Sequence, residues 1–147
     1  MPTSSPSFDA TIDLKLKPSL KGLQWIFILH IVPVALLPFA VKTGPVLAVT
    51  VGLFALSWLW LRRHPAIGFG KRAVKRILWN ADGTWLLEDG EGRKSEAALL
   101  PNTYVHPRLM VLNFKLNIGA RRTRVILGDE ADPELLRRLR ARLLNPA

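Results

Sequence analysis

The residues able to do chemistry in this chain are few and scattered. His30, His64 and His106 stand far apart, and none has a second histidine or a glutamate at the spacing a shared metal needs. There are no cysteines, which excludes disulfides, thiolate nucleophiles and thiolate metal sites. No nucleophile elbow or phosphate loop occurs, and Gly68-Phe69-Gly70 lacks the preceding strand and third glycine of a dinucleotide fingerprint. Acids gather in two places. Asp82, Glu88, Asp89 and Glu91 surround turn signals, while Asp129, Glu130 and Asp132 precede a helix start; local backbone needs explain the first better than an acid/base pair and the second better than a cation site. The sequence predicts no catalytic residue, no metal, no cofactor and no enzyme activity.

Charge is the stronger signal. The chain has 147 residues and a net charge of +10, enough length for one small domain beside its apolar segments. From Arg62 onward, 17 Lys and Arg oppose 9 Asp and Glu, a net of +8. Lys71, Arg72, Lys75 and Arg76 form one basic group, and Arg137, Arg138, Arg140 and Arg142 form another. Each cation close to an anionic leaflet is worth about 1 kcal/mol, so both groups are candidate contacts for membrane lipids or for acidic proteins. Arg121, Arg122 and Arg124 make a third group. Nucleic acid would want aromatic rings on an exposed sheet face, whereas Trp79, Trp85 and Phe114 read as core; no nucleic-acid partner is expected.

The element that positions these groups is the stretch from Lys21 to Arg63. Gly22 to Val41 and Pro45 to Leu61 carry no formally charged residue when His30 is neutral. At 1.5 Å per residue they cover roughly 30 and 25 Å, near the hydrocarbon thickness of a bilayer. In lipid the backbone must satisfy itself, so both are predicted to be helices of a transmembrane hairpin. A soluble core helix of this length would show a polar face, and a signal peptide would be shorter and followed by a cleavage site. Lys15, Lys17 and Lys21 precede the first span and Arg62, Arg63, Lys71, Arg72, Lys75 and Arg76 follow the second, while the tip offers only Lys42. The positive-inside rule then puts both ends in the cytoplasm, and Trp25, Trp58 and Trp60 fall at the same ends. A bacterial inner membrane is the expected setting. Ala48, Gly52 and Ala55 make a small-residue face predicted to meet the first helix. His30 is the one titratable group at depth, with a carbonyl, Thr50, Ser57 or a partner chain as candidate hydrogen-bond partners.

Around the hairpin the reading is of a small β-rich domain. Residues 1–10 are Ser/Pro-rich and predicted disordered. Residues 11–17 alternate with period two and are predicted to add a strand to the later sheet. Residues 64–70 read as a linker, and 71–147 as a cytoplasmic antiparallel meander or partial barrel. Strands are expected over 73–79, 84–88, 93–100, 103–106, 109–115 and 122–127. Asp132 caps a C-terminal amphipathic helix whose leucine stripe is expected to cover the open sheet, with its arginines in solvent or against lipid.

The order of these features resembles the YgfX family, also called CptA, of small bacterial inner-membrane proteins. The matching pieces are Leu16-x-Pro18-Ser19, His30, Leu78-Trp79-x-x-Asp82-Gly83-x-Trp85-x-Leu87, the run Leu109 to Phe114, and Leu127-x-Asp129-x-x-Asp132 with the Leu136-Arg137-Arg138-Leu139-Arg140-x-Arg142-Leu143 ending. The resemblance implies the toxin of a toxin–antitoxin pair that inhibits the cytoskeletal proteins FtsZ and MreB, beside a small SdhE-like partner. The expected function is therefore an inner-membrane-anchored, non-enzymatic protein-binding module. The alternative is an anionic-lipid-binding or membrane-organising module, and the oligomeric state stays open.

Overall fold

A computed structural model of the chain describes residues 11–145; the predicted disordered start lies outside them. The elements in order are β1 (Ile12–Lys15), α1 (Leu20–Ala40), α2 (Pro45–Leu61), a 3-10 turn (Pro65–Ile67), β2 (Val74–Trp79), β3 (Trp85–Asp89), β4 (Lys94–Leu99), β5 (Tyr104–His106), β6 (Leu109–Leu116), β7 (Arg121–Ile126) and α3 (Pro133–Leu144). All strand pairings are antiparallel, and the sheet curls into a half-barrel. From β1 to β4 it is a simple succession. The meander then changes: β4 and β5 share one edge of the long β6, and β7 takes the other.

The inward face follows period two along each strand. Leu14, Ile77, Leu112 and Phe114 are fully buried there, and Leu136 and Leu139 of α3 close over them. Asp132 starts α3 by accepting from the N–H groups of Glu134 and Leu135, with Pro133 in the first turn. Trp79 and Trp85 are register partners across the Asn80–Thr84 turn and stack at 4.3 Å, and Trp85 continues onto Phe114 at 5.4 Å. Burial of such side chains contributes about 1.5 to 3 kcal/mol each. Truncating Leu139 to Ala should remove about 2 to 5 kcal/mol.

The loose alternation of β2 has a physical cause. A bulge between Val74 and Arg76 leaves Lys75 without a register partner, so its side chain is free to turn toward the linker. The linker is itself structured. His64 accepts from Ala66 N–H to start the 3-10 turn, and Ile67 and Gly68 are buried.

α1 and α2 pack antiparallel and bury almost nothing: Gly22 is the buried residue of α1, and α2 has none. α1 is long and apolar enough to cross a membrane, and α2 is apolar but shorter. Of the predicted small-residue face, Ala55 borders the groove between α1 and α2, while Ala48 and Gly52 do not meet α1. A Cβ built on Gly52 would find nothing within 4 Å, and Ala48 and Ala55 are exposed. Instead Phe54 and Trp58 face His30, and Phe27 meets Trp58 at 5.5 Å. Ser57 also faces His30, and the small face lies about half a turn away from Ser57 round the helix.

Candidate functional site at the junction of helices and sheet

The two apolar helices and the sheet meet at one point, built from four segments far apart in the chain. Pro18 ends the first strand, and Ser19 begins α1 with its side chain accepting from Gly22 N–H at 2.9 Å. The Ser19 N–H donates to the Ile67 carbonyl at 2.9 Å, which ties the α1 start to the linker leaving α2. Gly22 packs closely here: a Cβ would lie 3.2 Å from Ser19 Oγ and 3.3 Å from Ile67, so a neighbouring side chain would have to give by a few tenths of an ångström.

The loop between β7 and α3 completes the joint. Asp129 accepts from the Ser19 hydroxyl and from the Lys21 N–H, both at 2.9 Å. Burial pushes its carboxyl up, but these donors together hold it below the ordinary carboxylate value. Glu130 is fully buried and accepts from the N–H groups of Leu127 and Gly128. Its own carbonyl accepts from Lys17 N–H at 2.8 Å.

Arg124 runs through the middle. It sits on the inward face of β7, is fully buried, and donates through Nη2 to the Lys17 carbonyl. Its planar end lies against Gly68, where a Cβ would stand 2.0 Å from Nη1. Gly68 also holds φ +94°, so its identity is fixed twice over. Lys75 donates from Nζ to the Gly68 carbonyl at 2.7 Å. Desolvation lowers the pKa of both cations; Arg124 adds repulsion at Lys75, while Glu130 and Asp129 offset part of the effect at Arg124. The Nε and Nη1 groups of Arg124 have no acceptor among the described residues. This arrangement can hold and orient; among the described residues no acid or histidine cluster could bind a metal.

The structure divides the basic groups that the sequence brought together. In the first, Lys71 and Arg72 are exposed, and Lys71 reaches Glu91 at 3.4 Å. Lys75 turns inward to Gly68, and Arg76 makes a two-pronged bond to Asp13 of β1 at 2.7 and 2.5 Å. That guanidinium holds the Asp13 carboxyl below its ordinary value. In the second, Arg137 and Arg138 are exposed and both bind Glu134, whose carboxyl they depress to about 2. Arg140 and Arg142 turn toward the sheet: Arg140 buries its Nε, and Arg142 lies 4.2 Å over the Trp79 ring and donates to the Asn80 carbonyl. α3 therefore begins beside the start of α1 and ends at the opposite end of β2. It carries Arg142 to the end of β2 farthest from the junction.

His30 takes one tautomer. Nδ1–H donates to the Ile26 carbonyl at 2.7 Å, and Nε2 accepts from the Ser57 hydroxyl at 3.0 Å. Reading the sequence did not find Arg124, Glu130 and Gly68 as a unit. One signal was present, since strict alternation along β7 places Arg124 on the same face as Ile126.

The sequence model of a family described as the membrane-bound toxin component of a toxin–antitoxin system matches residues 10–147. No curated protein and no solved structure matches the chain.

Proposed function

The chain belongs to this family of membrane-bound toxin components, and from that premise we propose that it is a non-enzymatic binding protein held at the inner membrane by two spans, with both termini cytoplasmic. The observation that carries this reading is a strand pairing. β1 precedes α1 and β2 follows α2, yet Ile12 to Lys15 lie in register with Trp79 to Arg76. Strands of one sheet occupy one side of a membrane, so if α1 crosses, α2 must cross back. The basic residues flanking both outer ends put that side in the cytoplasm. The exposed apolar surface of both helices fits lipid as solvent.

On this reading the half-barrel engages cytoplasmic proteins. By family resemblance these are FtsZ and MreB, with an SdhE-like neighbour as antitoxin. The lipid-binding alternative draws less support, because Lys75 and Arg76 are engaged inside the fold. The test is retention of purified FtsZ, MreB and the SdhE-like protein, each in turn, by the tagged full chain in nanodiscs. The full chain is needed because a fragment from Lys71 onward would lack β1. Retention of at least one is expected; retention of none overturns the proposal.

A further inference from the structure

Among the described residues, one open end of the half-barrel is neither covered nor explained by the junction. It forms a cavity of about 370 Å³ between the start of β2, the end of β3 and the β6–β7 turn. Leu87 and Leu116, only 4% and 6% exposed, give it an apolar floor continuous with the core. Ile118, 74% exposed at the tip of the β6–β7 turn, stands on its rim. Arg72, Arg93 and Arg122 surround it.

The balance of charge at this rim is uneven. Glu88 and Asp89 also line the cavity, but Asp89 accepts from Arg93 Nε at 3.1 Å and from the N–H groups of Glu91 and Arg93. Burial pushes its carboxyl up and these donors outweigh it, so the group stays ionised. Glu88 faces Arg76 at 3.8 Å. Arg93 is held between Asp89 and Glu91. Arg72 makes no ion pair among the described residues, and Arg122 donates only to the carbonyl of Arg121. The two uncompensated guanidinium groups therefore flank an apolar floor.

We propose that this end of the half-barrel is a docking site for an acidic segment of a cytoplasmic protein, which sets an apolar side chain on Leu87 and Leu116 and its carboxylates against Arg72 and Arg122. The proposal rests on the reading of the chain as a binding protein and locates the contact. Guanidinium groups bind carboxylates through paired N–H donors, and the floor supplies the apolar half of the recognition. A second copy of the chain would bring another net charge of +10 to the same place. A lipid phosphate could meet the arginines but would leave the apolar floor unfilled.

The experiment uses the full chain in phosphatidylcholine nanodiscs. The probe is a fluorescein-labelled peptide with a Leu-Phe pair between runs of Glu, compared with versions carrying Gln for Glu or Ser for Leu-Phe. Binding of the first peptide is expected. Loss of at least tenfold in affinity is expected with either control peptide, with the R72Q/R122Q double variant, and with Ile118→Asp. All three substituted positions lie outside the core, so circular dichroism should match the parent. No binding by the parent chain, or equal binding by the variants, overturns the site. So does rim-dependent binding of phosphatidylglycerol vesicles without binding of the peptide. Protein retention measured in parallel separates the two readings. If a partner is retained equally by parent and variants, the proposed function stands and the site falls; if none is retained, both fall.

Discussion

Asp129 holds the hydroxyl of Ser19 at 2.9 Å while its second oxygen accepts the N–H of Lys21, so a carboxylate from near the end of the chain caps a helix near its beginning. The helix dipole favours negative charge at that point. The cap also fixes where the sheet sits relative to α1, because Asp129 belongs to the loop that enters α3.

Asp129→Asn should cost about 1 kcal/mol, the usual worth of an N-cap, in urea unfolding of the full chain in detergent. The pH dependence has a definite sign. The folded carboxyl lies below its ordinary value of 3.8, so its contribution is complete above that pH and lost as pH falls through the folded value. The Asn variant should therefore differ from the parent at pH 7 and converge with it in acid. A constant difference across that range would contradict the assignment.

Gly68→Ala should destabilise by about 1 to 3 kcal/mol, since it combines a positive φ with a clash against Arg124. A double-mutant cycle with Arg124→Ala separates the two causes. The clash part should vanish in the double variant and the backbone part remain. Strictly additive losses would mean that the guanidinium does not lie against Gly68.

Asp13→Asn removes the partner of Arg76. Both side chains are partly exposed, at 40% and 30%, so solvent screening keeps the loss small. Its location is the informative part. Hydrogen exchange should quicken at the amides of Ile12 to Lys15 and leave β6 unchanged; uniform acceleration would show that β1 does not open separately.

The absence of cysteine makes the topology directly testable. Thr43→Cys, at the helix turn, should react with an impermeant maleimide from outside intact cells. Ser95→Cys, on β4, should react only after the membrane is opened. Labelling of both from one side would refute two spans.

Trp79 and Trp85 stack at 4.3 Å and 19°, which should give an exciton couplet in the tryptophan circular dichroism. Trp85→Phe should abolish it. Arg142→Ala should weaken stability by about 1 to 2 kcal/mol through loss of both the cation–π contact and the hydrogen bond to Asn80, and leave the couplet intact.

The amino-acid sequence by itself determined the elements. Alternation at Ile12, Leu14 and Leu16 makes β1, the charge-free runs make α1 and α2, and Asp132-Pro133 starts α3; each is a local period or cap, readable without knowing what packs where. Contacts distant in the chain were decided only by the tertiary structure. The bulge at Lys75 sends one cation of a basic run to Gly68 while its neighbour Arg76 goes to Asp13, and no spacing rule separates two adjacent cations. The rotation of α2 sets Phe54, Ser57 and Trp58 against His30 and leaves most of the small-residue pattern facing elsewhere. The joint itself, with Arg124 lying on Gly68 and Asp129 capping α1, exists because folding brings the two ends of the chain to one place. Hydrogen-bond geometry selects partners within about 3 Å, whatever their separation along the chain.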